Sequence, residues 1–371
     1  MNPCLQLDRE AFLARYWQRE PLLIKAALPD FEAPISANEL AGLALEEEVE
    51  SRIIELADGQ WRQHHGPFVA EDFTRDSAWT LLVQAVDQLI PEVAELRQLV
   101  DFIPQWRIDD VMVSYAVDGG SVGPHYDNYD VFLLQGEGRR LWQLGDHCDG
   151  DSALLPHPDL RILEHFESRA EYLLEPGDIL YVPPGLAHWG IARGECTTFS
   201  IGFRAPRVND MLSHWLDSLL ERVDSEQFYR DEGAAEAFHP GQIRPEDLQR
   251  ARDQLRKLLD ADQETRWFGE LVTEPRYPWA PDADELEALK RAMGEVPCRV
   301  QLSPGAKLAW DFSAEGIMVY ANGFAEPTGI GQQALLQSLS LGQSLTLAEP
   351  AGAEQQALLT FLAETGALDV E

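Results

Sequence analysis

Cysteine is scarce in this chain, with four in 371 residues, and no two of them form a CxxC pair. Cys4, Cys148, Cys196 and Cys298 stand far apart, so neither a disulfide framework nor a cysteine-bound zinc site is expected. Long apolar runs are missing too. No stretch approaches the roughly 20 apolar residues needed to span a bilayer, and Met1-Asn2-Pro3-Cys4 opens without a basic region followed by an apolar one. The expectation is a reduced, cytoplasmic protein with no membrane association. Positive charge is the third shortage. Against 64 acidic residues stand only 29 lysines and arginines, a formal net charge of −35. Such a field repels nucleic-acid phosphate and draws in basic partners. The same charge serves solubility equally well, and charge alone does not choose between the two.

What is present divides the chain into blocks. Asp8 to Lys25 carries Phe12, Tyr16 and Trp17 at helical spacing and ends in Pro21-Leu22-Leu23-Ile24-Lys25, which predicts a helix leading into a short strand. Residues 36–101 read as mostly helical, with Ala78 to Val83 and Val86, Leu89 and Ile90 as an apolar stripe. From about 107 to 204 the pattern changes to short β-branched runs separated by turn residues: 111–117, 131–134, 140–144, 179–182 and 197–203. Regular short strands of this kind predict a barrel or jelly roll. Helical periodicity returns after Pro206, through Met211, Leu212, Trp215 and Leu219, then over 245–260 after a break at 233–245. Pro275 to Pro281 reads as a linker. The last 90 residues mix small helices with strands near 299–302 and 316–320, a pattern that resembles a winged helix.

The sharpest local signal is His125-Tyr126-Asp127, followed at 188 by the histidine of Pro183-Pro184-Gly185-Leu186-Ala187-His188. In an extended segment residues i and i+2 point the same way, so His125 and Asp127 can aim at one ion. Two imidazoles and a carboxylate occupy one face of an octahedral iron(II) and leave three positions open. An HxD pair alone says little, but its surroundings are particular. Gly119-Gly120 precedes it. Glu175-Pro176-Gly177-Asp178 turns into the apolar run Ile179 to Val182, which stops at Pro183-Pro184-Gly185, so His188 follows a rigid bend. This arrangement resembles the paired cupin signature, with aspartate in place of the second histidine of the first motif. It is similar in that respect to the JmjC-type 2-oxoglutarate oxygenases.

The resemblance implies Fe(II) held by His125, Asp127 and His188, with 2-oxoglutarate and O2 as co-substrates. Such a co-substrate needs a cation on a barrel strand. Of Arg139 and Arg140 alternation lets one face inward, and Arg140 shares its face with the apolar Trp142 and Leu144. A buried arginine there is costly without an anion, and its fork suits a carboxylate. Family likeness favours Ser114 as a further contact to 2-oxoglutarate, with Thr198 or Ser200 as polar lining. Asp118, two steps beyond Ala116 on the face of Ser114, is expected near the barrel mouth as the anion for a cationic substrate; a turn-forming aspartate before Gly119-Gly120 is the other reading.

The string from Ser114 to Asp127 carries the strongest part of a likeness that extends over essentially the whole chain. It resembles the bacterial ribosomal oxygenases of the JmjC class. The implied architecture is α+β: a double-stranded β-helix domain (1–205), a helical dimerisation region (206–275) and a winged-helix-like domain (276–371). The implied activity is hydroxylation of an arginine side chain in the sixteenth large-subunit ribosomal protein, a basic partner, by a homodimer that does not bind nucleic acid directly. A histidyl or lysyl hydroxylase, and a metal-binding cupin that serves only as an interaction module, are the competing classes.

Overall fold

The computed structural model describes residues 5, 7–232, 239–313 and 316–370. Cys4 and the opening residues, and positions 233–238 of the expected break, lie outside the described residues.

The N-terminal segment folds as its spacing predicts. Helix α1 (Arg9–Arg15) is capped by the Asp8 carboxylate, which accepts from the Ala11 N–H at 3.0 Å, and it leads to strand β1 (Leu22–Ile24). Phe12 is fully buried and packs on Tyr181 and Phe132, so this helix closes one side of the sheet behind it.

Residues 36–101 depart from expectation. After α2 (Ala37–Leu43) come three strands, β2 (Ser51–Ala57), β3 (Gln60–His65) and β4 (Ala78–Val83), before short helical turns that include α3 (Pro91–Ala94). The reason is position in the sheet. β4 lies between two neighbours and five of its six residues are buried, so both of its faces carry apolar side chains. A strand covered on both sides has no alternation, and its unbroken run reads like a buried helix.

The barrel strands follow: β5 (Ile108–Ala116), β6 (Val131–Gln135), β7 (Arg140–His147), β8 (Ala170–Leu174), β9 (Ile179–Val182), β10 (Leu186–Ala192) and β11 (Cys196–Phe203). They pair antiparallel in a large sheet of order β1-β9-β6-β11-β5-β4-β2-β3 and a small one of order β10-β7-β8. Alternation along β6 shows how the two are stacked. Phe132 and Leu134 point into the main core with Phe12, Tyr181 and Phe199, while Val131 and Leu133 meet Trp142, Leu144 and Leu186 of the small sheet. The turn into β9 needs Gly177, whose φ of 84° lies in the left-handed region and whose absent Cβ would stand 2.2 Å from the Leu28 carbonyl oxygen.

Beyond the barrel come α4 (Val208–Leu220), α5 (Pro245–Ala261) and α6 (Arg266–Thr273). Neither α4 nor α5 has a buried residue, and Leu212, Leu216, Leu220, Leu248 and Leu255 are exposed. The C-terminal unit has its own core around Val300, Val319, Leu336, Leu359 and Leu362. It consists of α7 (Ala283–Gly294), β12 (Cys298–Leu302), a β13-β14-β15 meander (Leu308–Ser313, Gly316–Ala321, Phe324–Thr328), α8 (Gln333–Ser340), β16 (Leu345–Leu347), α9 (Ala353–Glu364) and β17 (Leu368–Val370). The segment 275–281, read as a linker, is regular neither as helix nor as strand, yet it is not loose. Arg276 pairs with Asp109 on β5 at 3.0 Å, and the Tyr277 hydroxyl donates to Glu50 at 2.6 Å.

Candidate functional site

Between the two sheets opens a cavity of about 370 Å³. Its wall is the inward face of successive strands: Asp110, Met112 and Ser114 of β5, Ser200 and Gly202 of β11, Arg140 and Trp142 of β7, Thr80 and Leu82 of β4. Each set is spaced by two, as the period of a strand requires. His125, Asp127 and His188 lie in the same cavity.

The segment holding the HxD is extended, though outside the named strands, and it is clipped to β10. The His125 N–H donates to the His188 carbonyl at 3.0 Å and the His188 N–H to the His125 carbonyl at 2.8 Å. The Gly185 N–H donates to the Asp127 carbonyl at 2.7 Å. Main-chain bonds therefore bring together residues 61 and 63 positions apart in sequence. Among the described residues this is the one group of three metal-ligating side chains whose donor atoms lie within 4.8 Å of one another. His125 Nε2 and His188 Nε2 stand 4.0 and 3.7 Å from Asp127 Oδ2.

Each ring is oriented from behind. His125 Nδ1 lies 3.0 Å from the Gly123 carbonyl oxygen and His188 Nδ1 3.0 Å from that of Leu186. A carbonyl only accepts, so Nδ1 carries the proton and the Nε2 lone pair is turned to the shared centre. Burial, then the neighbouring His125, pushes the His188 imidazole down to about 4, which keeps it neutral and able to ligate at ordinary pH.

Arg140 is 4 % exposed, and its Nε and Nη2 have no hydrogen-bond partner among the described residues. An isolated guanidinium in that position costs several kcal/mol unless an anion meets it. The donor set thus fits iron(II) on one side and a carboxylate on the other. Ser114 and Ser200 line the cavity as expected; Ser114 Oγ has only a long contact of 3.5 Å to the Thr198 carbonyl oxygen. Thr198 pairs with Ser114 across β5 and β11, and its buried Oγ1 has no partner among the described residues, but it does not reach the cavity wall.

Asp118 requires correction. β5 ends at Ala116, Asp118 is exposed, and its Oδ1 accepts the Gly194 N–H at 2.7 Å. It ties the turn before the metal loop to the β10–β11 hairpin and does not line the cavity. The alternation stops with the strand before Asp118 is reached, and the cavity runs along Asp110, Met112 and Ser114 instead. There Asp110, four residues before Ser114, is the buried carboxylate. Its Oδ2 accepts from Gln84 Nε2 at 2.7 Å and the Ala85 N–H at 2.9 Å. Burial raises its pKa, with Asp109 adding to the rise and Gln84 and Arg276 opposing it. Counting the inward face backward from Ser114 is the signal that finds it. Arg52, Tyr129 and Arg161 also line the cavity and carry no sequence signal of their own.

Comparison with known proteins places the geometry in a family. The JmjC domain family matches residues 95–211, and the ROXA-like winged helix matches 249–369. A relative from Escherichia coli (strain K12), ribosomal protein uL16 3-hydroxylase, is 39 % identical over 312 residues, covering 80 % of this chain and 81 % of the relative. This chain belongs to the JmjC-type ribosomal oxygenases. A probable ribosomal oxygenase of Haemophilus influenzae (strain ATCC 51907 / DSM 11121 / KW20 / Rd) is 41 % identical over 55 % of the chain and 51 % of the relative. Among solved structures, E. coli ycfD superposes with a TM-score of 0.84 at 35 % identity over 100 % of both chains. The E. coli ribosomal oxygenase YcfD in complex with cobalt and 2-oxoglutarate gives 0.81 at 34 % identity over 99 % of both. Membership settles the expected fold: a cupin-type JmjC barrel followed by a winged-helix-like unit.

Proposed function

We propose that this chain is an Fe(II)- and 2-oxoglutarate-dependent oxygenase that hydroxylates an arginine side chain of the large-subunit ribosomal protein uL16. One observation carries the reading: a single cavity joins a His-Asp-His face to a buried arginine whose Nε and Nη2 have no partner among the described residues. The E. coli relative that spans four-fifths of the chain supplies the substrate class.

His125, Asp127 and His188 hold the metal through two Nε2 atoms and a carboxylate oxygen, and Arg140 receives the distal carboxylate of 2-oxoglutarate, with Ser114 and Ser200 beside it. When bound, 2-oxoglutarate supplies two electrons by decarboxylation to succinate, so that one oxygen atom of O2 enters a C–H bond and the other enters succinate. The protein's part is positioning. Apolar Leu133 and Trp142 wall the co-substrate off from water, and the carbonyl-anchored imidazoles keep their lone pairs aimed without rotating. Asp110 takes the part first expected of Asp118. No hydrogen bond is made at its Oδ1 among the described residues, and a guanidinium entering the cavity would find a charged acceptor there.

Residues 1–205, 206–275 and 276–371 are taken as three units, the middle one pairing with its copy through the exposed leucines of α4 and α5. A homodimer in the cytoplasm, acting on a basic protein and not on nucleic acid, agrees with the excess of acidic residues. The test is incubation with iron(II), 2-oxoglutarate and purified ribosomal proteins. The expected result is a mass gain of one oxygen on an arginine of uL16; a gain on a histidine or lysine of another protein would replace this substrate. Absence of 2-oxoglutarate turnover with every substrate would leave the interaction-module reading.

A further inference from the structure

Two indole N–H groups find side-chain acceptors: Trp189 donates to Ser121 Oγ at 2.8 Å and Trp215 to Asp262 Oδ2 at 2.7 Å. Trp142 is the contrast. It is 4 % exposed, it lines the cavity, and its Nε1 has no partner among the described residues. A buried indole N–H left unmatched is costly, and one that lines a cavity calls for an acceptor supplied from within it.

The indole is packed closely on one side. Gly190 lies opposite on β10, where a Cβ would stand 2.7, 2.8 and 3.0 Å from Cη2, Cζ3 and Cζ2 of the indole. The six-membered ring therefore packs directly on the Gly190 main chain, and any side chain at 190 would displace it. The indole centroid is 5.9 Å from that of His188, and the Arg140 guanidinium carbon is 5.9 Å from the ring. Trp142 thus spans the gap between a metal ligand and the buried cation. Arg140 and Trp142 sit two residues apart on one face of β7, and together they present three unpartnered N–H donors: Nε, Nη2 and Nε1.

We propose that Trp142 is a co-substrate-binding residue whose indole N–H donates to the same distal carboxylate that Arg140 holds. This rests on the reading of the cavity as a 2-oxoglutarate site. A carboxylate offers about four lone-pair positions; the arginine fork fills two, and a third donor from the side fixes the rotation of the group about its C–C bond. An inert wall residue needs only the ring, whereas this role needs the N–H, and Trp142→Phe separates them.

The experiment uses the full chain loaded with zinc(II), which is diamagnetic and does not turn over, and titrates it with 2-oxoglutarate. Trp142→Phe should weaken 2-oxoglutarate about ten- to a hundredfold, the loss of one charge-assisted hydrogen bond, and leave zinc affinity unchanged. In the wild type, the indole N–H resonance of Trp142 should move downfield as the co-substrate saturates, a readout that does not depend on how well the variant folds. An unchanged affinity with an unmoved resonance overturns the proposal and leaves the cavity reading standing. A parallel loss of zinc affinity in the variant overturns it too, because the indole would then act by supporting His188. If wild-type protein does not bind 2-oxoglutarate at all, the cavity reading itself fails and the proposal goes with it.

Discussion

His125 and His188 exchange both of their main-chain hydrogen bonds, at 3.0 and 2.8 Å, while their imidazole centroids stand 4.3 Å apart. The backbone, and not the side chains, thus brings the two ligands together. A ligand can be removed without removing what positions its neighbours. His125→Ala and Asp127→Ala should keep the wild-type circular dichroism and lose metal, with 2-oxoglutarate turnover falling to background. Metal titration of either variant checks this, and retained stoichiometric iron in Asp127→Ala would refute the triad.

Arg140→Lys replaces a planar fork by a point charge in a site too enclosed for water to compensate fully. The KM for 2-oxoglutarate should rise about tenfold or more, with the KM for the protein substrate little changed. Steady-state kinetics with each substrate varied in turn separates the two. An unaltered 2-oxoglutarate KM would mean that another cation, Arg161 or Arg52, meets the carboxylate.

Two aspartates eight residues apart should behave oppositely. Asp110→Asn removes the buried charge from the cavity, so the protein-substrate KM should rise steeply while slow, substrate-free decarboxylation of 2-oxoglutarate continues. The same substitution should raise the melting temperature at neutral pH. Burial lifts the Asp110 pKa in the folded state above its unfolded value, so the contribution of this group to stability is fully present below the unfolded pKa and is lost as pH rises through the folded one. The stability gap between variant and wild type should therefore close as the medium is acidified. Asp118→Asn, by contrast, touches only the Gly194 N–H; it should cost about 1 kcal/mol or less and leave both activities alone. Loss of peptide hydroxylation in Asp118→Asn with Asp110→Asn unaffected would reverse the assignment.

The contrast between those two residues also shows what the sequence made legible. Spacing by two was enough to put Arg140, Trp142, Ser114 and Ser200 on inward faces, because alternation is a local property of an extended chain. Which end of β5 faces the cavity is a tertiary matter: it depends on where the HxD segment clips to β10, through bonds between residues 63 positions apart. β4 was hidden for a related reason, as was most of β2; β3 is an edge strand with no buried residue, and its polar run has no apolar alternation to read. A strand such as Trp79 to Val83, buried on both faces, has no polar face to mark its period, and its identity comes only from pairing with β2 and β5. β8 and β10 carry no strand expectation from the sequence either, although His188 itself stands out by its Pro-Pro-Gly context.

The exposed leucines of α4 and α5 predict a concentration-dependent species. Leu212 is 47 % and Leu255 62 % exposed, so a charge at either is tolerated by the isolated fold and not by an apolar contact between copies. Sedimentation at micromolar concentration should show a wild-type dimer and a monomer for Leu212→Glu with Leu255→Glu. A wild-type monomer would remove the pairing and leave these faces for another partner.

Arg276 links the segment before the C-terminal unit to the cavity strand. Its Nη1 is 3.0 Å from Asp109 Oδ2 and 4.0 Å from Asp110 Oδ2, and its Nη2 is 3.4 Å from Glu50. The neighbouring contact is Lys307, buried, whose Nζ donates to the carbonyls of Ile108, at 2.7 Å, and Asp109. Truncating Arg276 leaves three carboxylates facing one another with less compensation, and the nearest of them on the cavity side is Asp110. Arg276→Ala should therefore open the 274–282 segment to proteolysis and push the Asp110 pKa further up. The substrate KM would then rise most in mildly acidic buffer and recover as the pH increases, while Arg276→Lys restores part of the wild-type profile. A KM raised equally at every pH, with lysine giving no rescue, would show that Arg276 only holds the segment in place.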